Sequence, residues 1–238
     1  MKKVFITIFL AFVASLTFAQ LTSSGSIGES YRNFMVQSTS FLNPHDFVSF
    51  EPIGGTDRFF SEKWENGGAR NLNDAVIANK DYQFNYDFLK HELYAKWKDT
   101  IITVDNNYLK SFYIYNGNSR HNFCKILQID PENFVELLSA DTLQNKIMLL
   151  KKRTTSIRKG DKASPGSNYL GNFSDAYNSK TEYFLLFPDK ASVKINISKK
   201  NILEKLQPSY KRKAETILSS ERSLNDTKAI NLINALNQ

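Results

Sequence analysis

Tyr82-Gln83-Phe84-Asn85-Tyr86-Asp87-Phe88 is the stretch that decides the fold. Aromatic rings take every second position and polar side chains fill the gaps, the period of two of a β-strand with one apolar and one wet face. A helix would spread the four rings around its circumference instead. Lys90-His91 then reads as a turn, and Leu93 to Trp97, Thr100 to Val104 and Tyr108 to Tyr115 follow as short β-branched and aromatic runs. Lys98-Asp99 and Asp105-Asn106-Asn107 separate them. Asn116-Gly117 is a hairpin signal, because a type I′ turn needs positive φ at both central positions.

The same rhythm continues outward. Strands are expected from His121 to Ile126, over Phe134 to Ser139, and from Lys146 to Thr154, with Asp130-Pro131 and residues 140–143 as turns. Residues 156–181 break the pattern as a long polar loop, after which Glu182 to Phe187 and Ala191 to Ile197 form a hairpin around Pro188-Asp189. Turn signals about every ten residues define an antiparallel architecture. The fold class is therefore mainly β (α+β): an antiparallel meander forming a roll, sandwich or partial barrel, with two or three C-terminal helices. Ser198 caps the first helix, Pro208 opens the second, and Ser223 or Asn225 caps a third whose apolar stripe is Ala229, Ile230, Leu232, Ile233 and Leu236.

Upstream, order is harder to read. Residues 20–66 hold no sustained helical or strand period, and Gly54-Gly55 and Gly67-Gly68 read as turns. Residues 20–54 form an irregular N-terminal segment. Before them, Met1-Lys2-Lys3, an apolar run of 13 residues from Val4 to Leu16, and Thr17-Phe18-Ala19 have the order of a secretory signal peptide cut before Gln20. The run is too short to span a bilayer, which takes about 20 residues. No later stretch approaches that length, so no transmembrane span is expected in the mature chain. The domain scheme is thus signal peptide 1–19, irregular segment 20–54, β domain 55–197 and helical segment 198–238. Export directs the chain to the periplasm or outer-envelope surface of a Gram-negative bacterium, or to secretion.

Composition narrows the chemistry. The 238 residues are 41% hydrophobic with 10 Gly and 6 Pro, which excludes collagen-like, low-complexity and wholly disordered chains. A single cysteine, Cys124, excludes an intramolecular disulfide and any cysteine-cluster zinc site. It is expected as a small buried hydrophobe, with a catalytic or intermolecularly bonded thiol as the sharper alternative. His45, His91 and His121 are far apart and show no ligand spacing, so neither metal nor cofactor is expected. No nucleophile elbow or phosphate loop occurs. His121 and Cys124 are three apart and on a strand point to opposite faces. Asp81, Asp87, Glu92 and Asp99 lie around the meander turns, and a carboxylate-dependent hydrolase using them ranks last.

The formal charge of +7 conceals an asymmetry. Residues 20–145 carry 11 Lys plus Arg against 16 Asp plus Glu, whereas residues 146–238 carry 18 against 8. Within 146–162, Lys146, Lys151, Lys152, Arg153, Arg158, Lys159 and Lys162 face only Asp161. These seven are the candidate ligand-binding residues for an anionic group on a lipid, a glycolipid or an envelope protein. The bland alternative is a solvated strand end and loop. Nucleic acid is not an expected partner of an exported chain, and the alternating rings of residues 82–88 fit a core better than a base-stacking platform.

Together, Phe18-Ala19-Gln20, Phe84-Asn85-Tyr86-Asp87 with Leu93 beyond, Leu109-Lys110-Ser111-Phe112, and Ser198-Lys199-Lys200-Asn201-Ile202-Leu203 resemble uncharacterised exported proteins of Bacteroidetes-type bacteria. The resemblance covers roughly residues 55–237 and departs at Asp57-Arg58-Phe59-Phe60, where such proteins have a Pro-Tyr pair. It implies a β-rich periplasmic or outer-envelope protein and transfers no catalytic residue. The expected function is an exported, non-catalytic cell-envelope binding or structural module. The alternative is a periplasmic carrier or sensor of an amphipathic anionic ligand.

Overall fold

A computed structural model of the chain describes residues 58–78, 80–98, 100–139, 146–160 and 176–238. The signal-peptide and irregular-segment readings, His45, Asp99 and Lys162 lie outside them. The strands are β1 (Glu65–Asn71), β2 (Val76–Ile77), β3 (Tyr82–Asp87), β4 (Glu92–Trp97), β5 (Thr100–Val104) and β6 (Leu109–Asn116). They continue with β7 (Ser119–Ile126), β8 (Asp130–Leu137), β9 (Met148–Arg158), β10 (Ala176–Leu186) and β11 (Ser192–Ile195). Three helices close the chain: α1 (Lys199–Lys205), α2 (Pro208–Leu218) and α3 (Asp226–Leu236). The expected mainly antiparallel β class with C-terminal helices is what the chain adopts.

Ten strands lie in the order β11-β10-β9-β8-β7-β6-β1-β3-β4-β5, with β2 beside β1, in a sheet that does not close into a barrel. Most neighbours are consecutive in sequence, as in a meander. The exception is β1, inserted between β6 and β3. Gly67 and Gly68 lie inside β1 and not in a turn, because β6 approaches so closely there that a Cβ on Gly67 would sit 2.4 Å from the Tyr113 carbonyl oxygen. The β6–β7 hairpin turns on Gly117-Asn118, one residue later than read from sequence, and only Gly117 has positive φ, the pattern of a II′ turn. Likewise β9 and β10 extend into residues read as loop, pairing from Met148↔Leu186 out to Arg158↔Ala176. Between Arg153 and Ser156 these rungs pair Thr, Ser, Asn, Lys and Arg, which ladder through the backbone without an apolar pattern to announce it.

Register sorts side chains into rows. Phe112, Phe123, Glu136, Lys151, Tyr183 and Ile195 stand side by side across β6 to β11 on one face. On the other face the adjacent row is Gly68, Tyr113, Asn122, Leu137, Leu150 and Phe184. The first face is covered in two parts. Tyr86 of β3 packs its ring 5.1 Å from Phe112, 5.9 Å from Phe123 and 6.3 Å from Phe134, with Phe112 and Phe123 stacked at 4.6 Å. The helices cover β9–β11, burying Ile202, Leu218, Leu232 and Ile233 against Leu149 and Leu185. Fully burying each such side chain is worth about 1.5–3 kcal/mol.

Between these two apolar halves runs a polar seam. His121 Nδ1 meets Glu136 Oε1 at 2.6 Å; Lys151 reaches Asp226 at 3.2 Å, and the Tyr183 hydroxyl donates to Asp226 at 2.9 Å. Burial and then the Asp226 carboxylate push the Tyr183 hydroxyl's pKa up. The helices are capped as the sequence indicates: Ser198 Oγ accepts from Asn201 N, and Asn225, not Ser223, accepts from Lys228 N. Asn237 clamps the chain end to the sheet, accepting from Ile147 N and donating to Ile147 O, both at 2.9 Å. No helix among the described residues is long and apolar enough to cross a membrane.

Two of the three polar positions of β3 are not wet. Asn85 and Asp87 are fully buried, because residues 58–64 cover that face. Phe59 faces Asp87 while Glu65 faces Phe84, six residues against three, so three residues bulge out. Asn85 takes over the lost ladder: its Oδ1 accepts from Ser61 N and Tyr86 N, and its Nδ2 donates to the carbonyls of Ser61 and Lys63. Asp87 binds the Arg58 guanidinium and accepts from Leu89 N and Lys90 N, closing the turn to β4.

Candidate binding groove

The basic cluster is divided by the strand that carries it. Lys151 points to the helix-covered face and pairs with Asp226, whereas Lys152 points to the other and pairs with Asp130 at 2.7 Å. Arg153 returns to the first face, 4.5 Å over the Phe88 ring, with its Nε donating to Ser179 at 3.1 Å. Lys146 is exposed just before β9, and Arg158 and Lys159 are exposed at its far end. Met148 and Arg158 are ten residues apart on β9, roughly 33 Å at the rise of a strand. The described members of the cluster therefore occupy two faces and two ends and do not share one site.

Two acids of the meander turns, Asp87 and Glu92, are committed to structure. Asp87 is held by Arg58, and Glu92, directly across from it, accepts from the Tyr94 hydroxyl at 2.7 Å. Asp81 is exposed. Asp130 carries the strongest lowered carboxyl: burial pushes its pKa up, but the Lys152 ammonium and the Asn133 backbone and side-chain donors outweigh that and hold it at about 2. Among the described residues no group of three His, Cys, Asp or Glu side chains converges as a metal site would require.

The feature that sequence reading missed lies on the face opposite the aromatic core. A groove of about 610 Å³ runs across β1, β6, β7 and β8, within the size range of small-molecule sites. Its middle row is Gly68, Tyr113, Asn122 and Leu137, and the glycine leaves a depression beside the tyrosine. One flanking row holds Arg70, Ser111 and Cys124; the other pairs Tyr115 with Arg120. The Arg120 guanidinium lies 3.9 Å over the Tyr113 ring, and the Tyr115 ring meets Tyr113 edge-on at 5.7 Å. Among the described residues the charged ones lining the groove are Arg70 and Arg120.

Arg70 shares Asp74 with Lys110, at 3.3 Å and 2.8 Å. Arg120 makes no ion pair, and Ser111 and Asn122 make no side-chain hydrogen bond, to other described residues. Cys124 lines the groove half-buried and unpaired, and burial pushes its thiol up to about 12. It is an inert wall at neutral pH, on the opposite side of β7 from His121 as strand geometry requires. These side chains stand on strands whose other face is locked by the aromatic core, so they are held on a rigid platform. The one signal in the sequence was that Tyr113, Arg120 and Asn122 sit at the non-core positions of two adjoining strands.

No known protein family, curated protein or solved structure matches this chain.

Proposed function

We propose that this protein is an exported, non-catalytic binding module of a bacterial cell envelope that holds a small-molecule ligand in the groove across β1, β6, β7 and β8. The observation carrying this reading is the placement of Arg120, Asn122 and Ser111 in one concavity, where Arg120 makes no ion pair and Asn122 and Ser111 no side-chain hydrogen bond to other described residues. Unspent hydrogen-bonding groups on a rigid strand platform are what orient a ligand. Supporting export are the order of charged, apolar and small residues over 1–19 and the resemblance to exported Bacteroidetes-type proteins. Periplasm, outer-envelope surface or secretion all suit a chain made this way, and an anionic lipid or glycolipid suits a groove whose charges are both arginines.

Native mass spectrometry of the protein isolated from its own host tests the reading. The expected spectrum shows a mature chain beginning at Gln20 with a co-purifying species of a few hundred daltons. Replacing Tyr113 and Asn122 together by alanine removes that species. A chain that always runs bare, and that turns over ester, glycoside, phosphate or peptide substrates until one acid or nucleophile is mutated, overturns it.

A further inference from the structure

Resting on that reading of the groove, we infer that its ligand is an amphipathic organic anion, with its carboxylate or phosphate head on Arg120 and Asn122 and its apolar body over Leu137 and Cys124. The charge of the lining points one way. Of the 14 described residues lining the groove, two are arginines and none is Asp or Glu. The acid bordering it, Asp74, is already shared by two cations and its pKa is lowered by the Lys110 and Arg70 hydrogen bonds. A neutral or cationic ligand would leave Arg120 uncompensated; an anion satisfies it.

The stack of Arg120 on Tyr113 makes the charge usable. The guanidinium carbon lies 3.9 Å over the ring centroid, a contact through the π face that spends none of the N–H donors on an acceptor oxygen, and the guanidinium fork suits a two-oxygen acceptor. Holding the side chain in advance also reduces the rotamer freedom lost when a ligand binds. Asn122 is two residues along the same strand, roughly 7 Å away and on the same face. A head group on Arg120 therefore comes within reach of the Asn122 amide.

Beyond Asn122 the lining turns apolar on the β8 side, while Ser111 and Arg70 continue it toward β1. Leu137 is its direct neighbour on β8, and Cys124 follows it on β7. These side chains belong to the apolar cluster with Val135, Met148 and Leu150 that fills the sheet on this side. The groove thus sets the cationic, hydrogen-bonding Arg120 and Asn122 beside an apolar wall of Leu137, Leu138 and Cys124, a juxtaposition that a fatty or lipid-like anion matches. The sequence-derived basic cluster takes no part, since its described members lie on or flanking β9 and none lines the groove.

Calorimetric titration of the mature protein with four decyl probes below their micelle concentrations tests this: decanoate, decyl phosphate, decyl glucoside and decyltrimethylammonium. At least one anion is expected to bind tenfold or more tightly than the glucoside, and the cation weakest. Arg120→Gln erases that preference without changing the thermal melt, while Arg120→Lys recovers only part of it because it keeps the charge and loses the fork. Binding of decanoate alone, decyl phosphate alone, or both distinguishes carboxylate from phosphate heads, and each supports the inference. Equal binding of glucoside and anions, unchanged by Arg120→Gln, overturns the anion assignment and leaves the groove reading standing. Binding of none of the four overturns both.

Discussion

Asn85→Ala removes the side chain that replaces the missing rungs between β3 and residues 58–64. Two of its four contacts are short, at 2.7 Å to Ser61 O and 2.9 Å from Tyr86 N, and two are long, at 3.2 and 3.3 Å. A net bond contributes about 0.5–1.5 kcal/mol, and a buried group left unpaired costs about 1–3 kcal/mol. Asn85 is fully buried while Ser61 is half-buried and Lys63 exposed, so water can re-pair the outer groups but not Tyr86 N. The expected loss is about 3 kcal/mol, or about 6–12 °C in melting temperature for a domain of this size. Urea denaturation with amide exchange measures it: the midpoint falls, and exchange accelerates at Ser61 and Tyr86 before it does in the helices. Asn85→Asp tests the donor half, since a carboxylate facing two carbonyls destabilises most at neutral pH and recovers as acid protonates it. An Asn85→Ala protein within 0.5 kcal/mol of the parent, with unchanged exchange at those amides, refutes the reasoning.

Two further outcomes follow from the same structure. The Asp130 carboxyl is held at about 2 against a usual 3.8, so it contributes about 2 kcal/mol above about pH 4, lost as pH falls toward 2. Urea titrations from pH 6 to pH 2 should show the gap between the parent and Asp130→Asn closing over that window, and a constant gap contradicts the ion pair with Lys152. Cys124, with its thiol pushed up to about 12, should react with iodoacetamide at pH 8 on the order of a hundredfold more slowly in the native protein than in urea. Rapid native labelling would contradict its burial.

The alternation at Tyr82 to Phe88 and the turns after it are local signals, and the meander they announce is the one that forms. Helix ends were equally legible, because Ser198, Pro208 and Asn225 act through backbone a few residues away. What was hidden depends on distant partners. Gly67 and Gly68 read as a turn because the reason for glycine there, the close approach of Tyr113, is 46 residues away in sequence. Asn85 and Asp87 read as wet because the segment covering them shows no period of its own. The groove needs four strands in register, from Gly68 to Leu137, and polarity that is unremarkable on each strand becomes a site only across them. The described members of the basic cluster do not gather for the converse reason: proximity in sequence along a strand means alternate faces and growing distance.

The most direct test of the account is an amide NMR titration of the mature protein with decyl phosphate and decanoate. The account predicts shifts centred on Gly68, Tyr113, Asn122 and Leu137, saturating with one ligand per chain, while Phe84, Tyr86 and the α3 amides stay still. Shifts centred instead on the exposed Lys211, Arg212 and Lys213 of α2, or along β9 from Lys146 to Arg158, would contradict it.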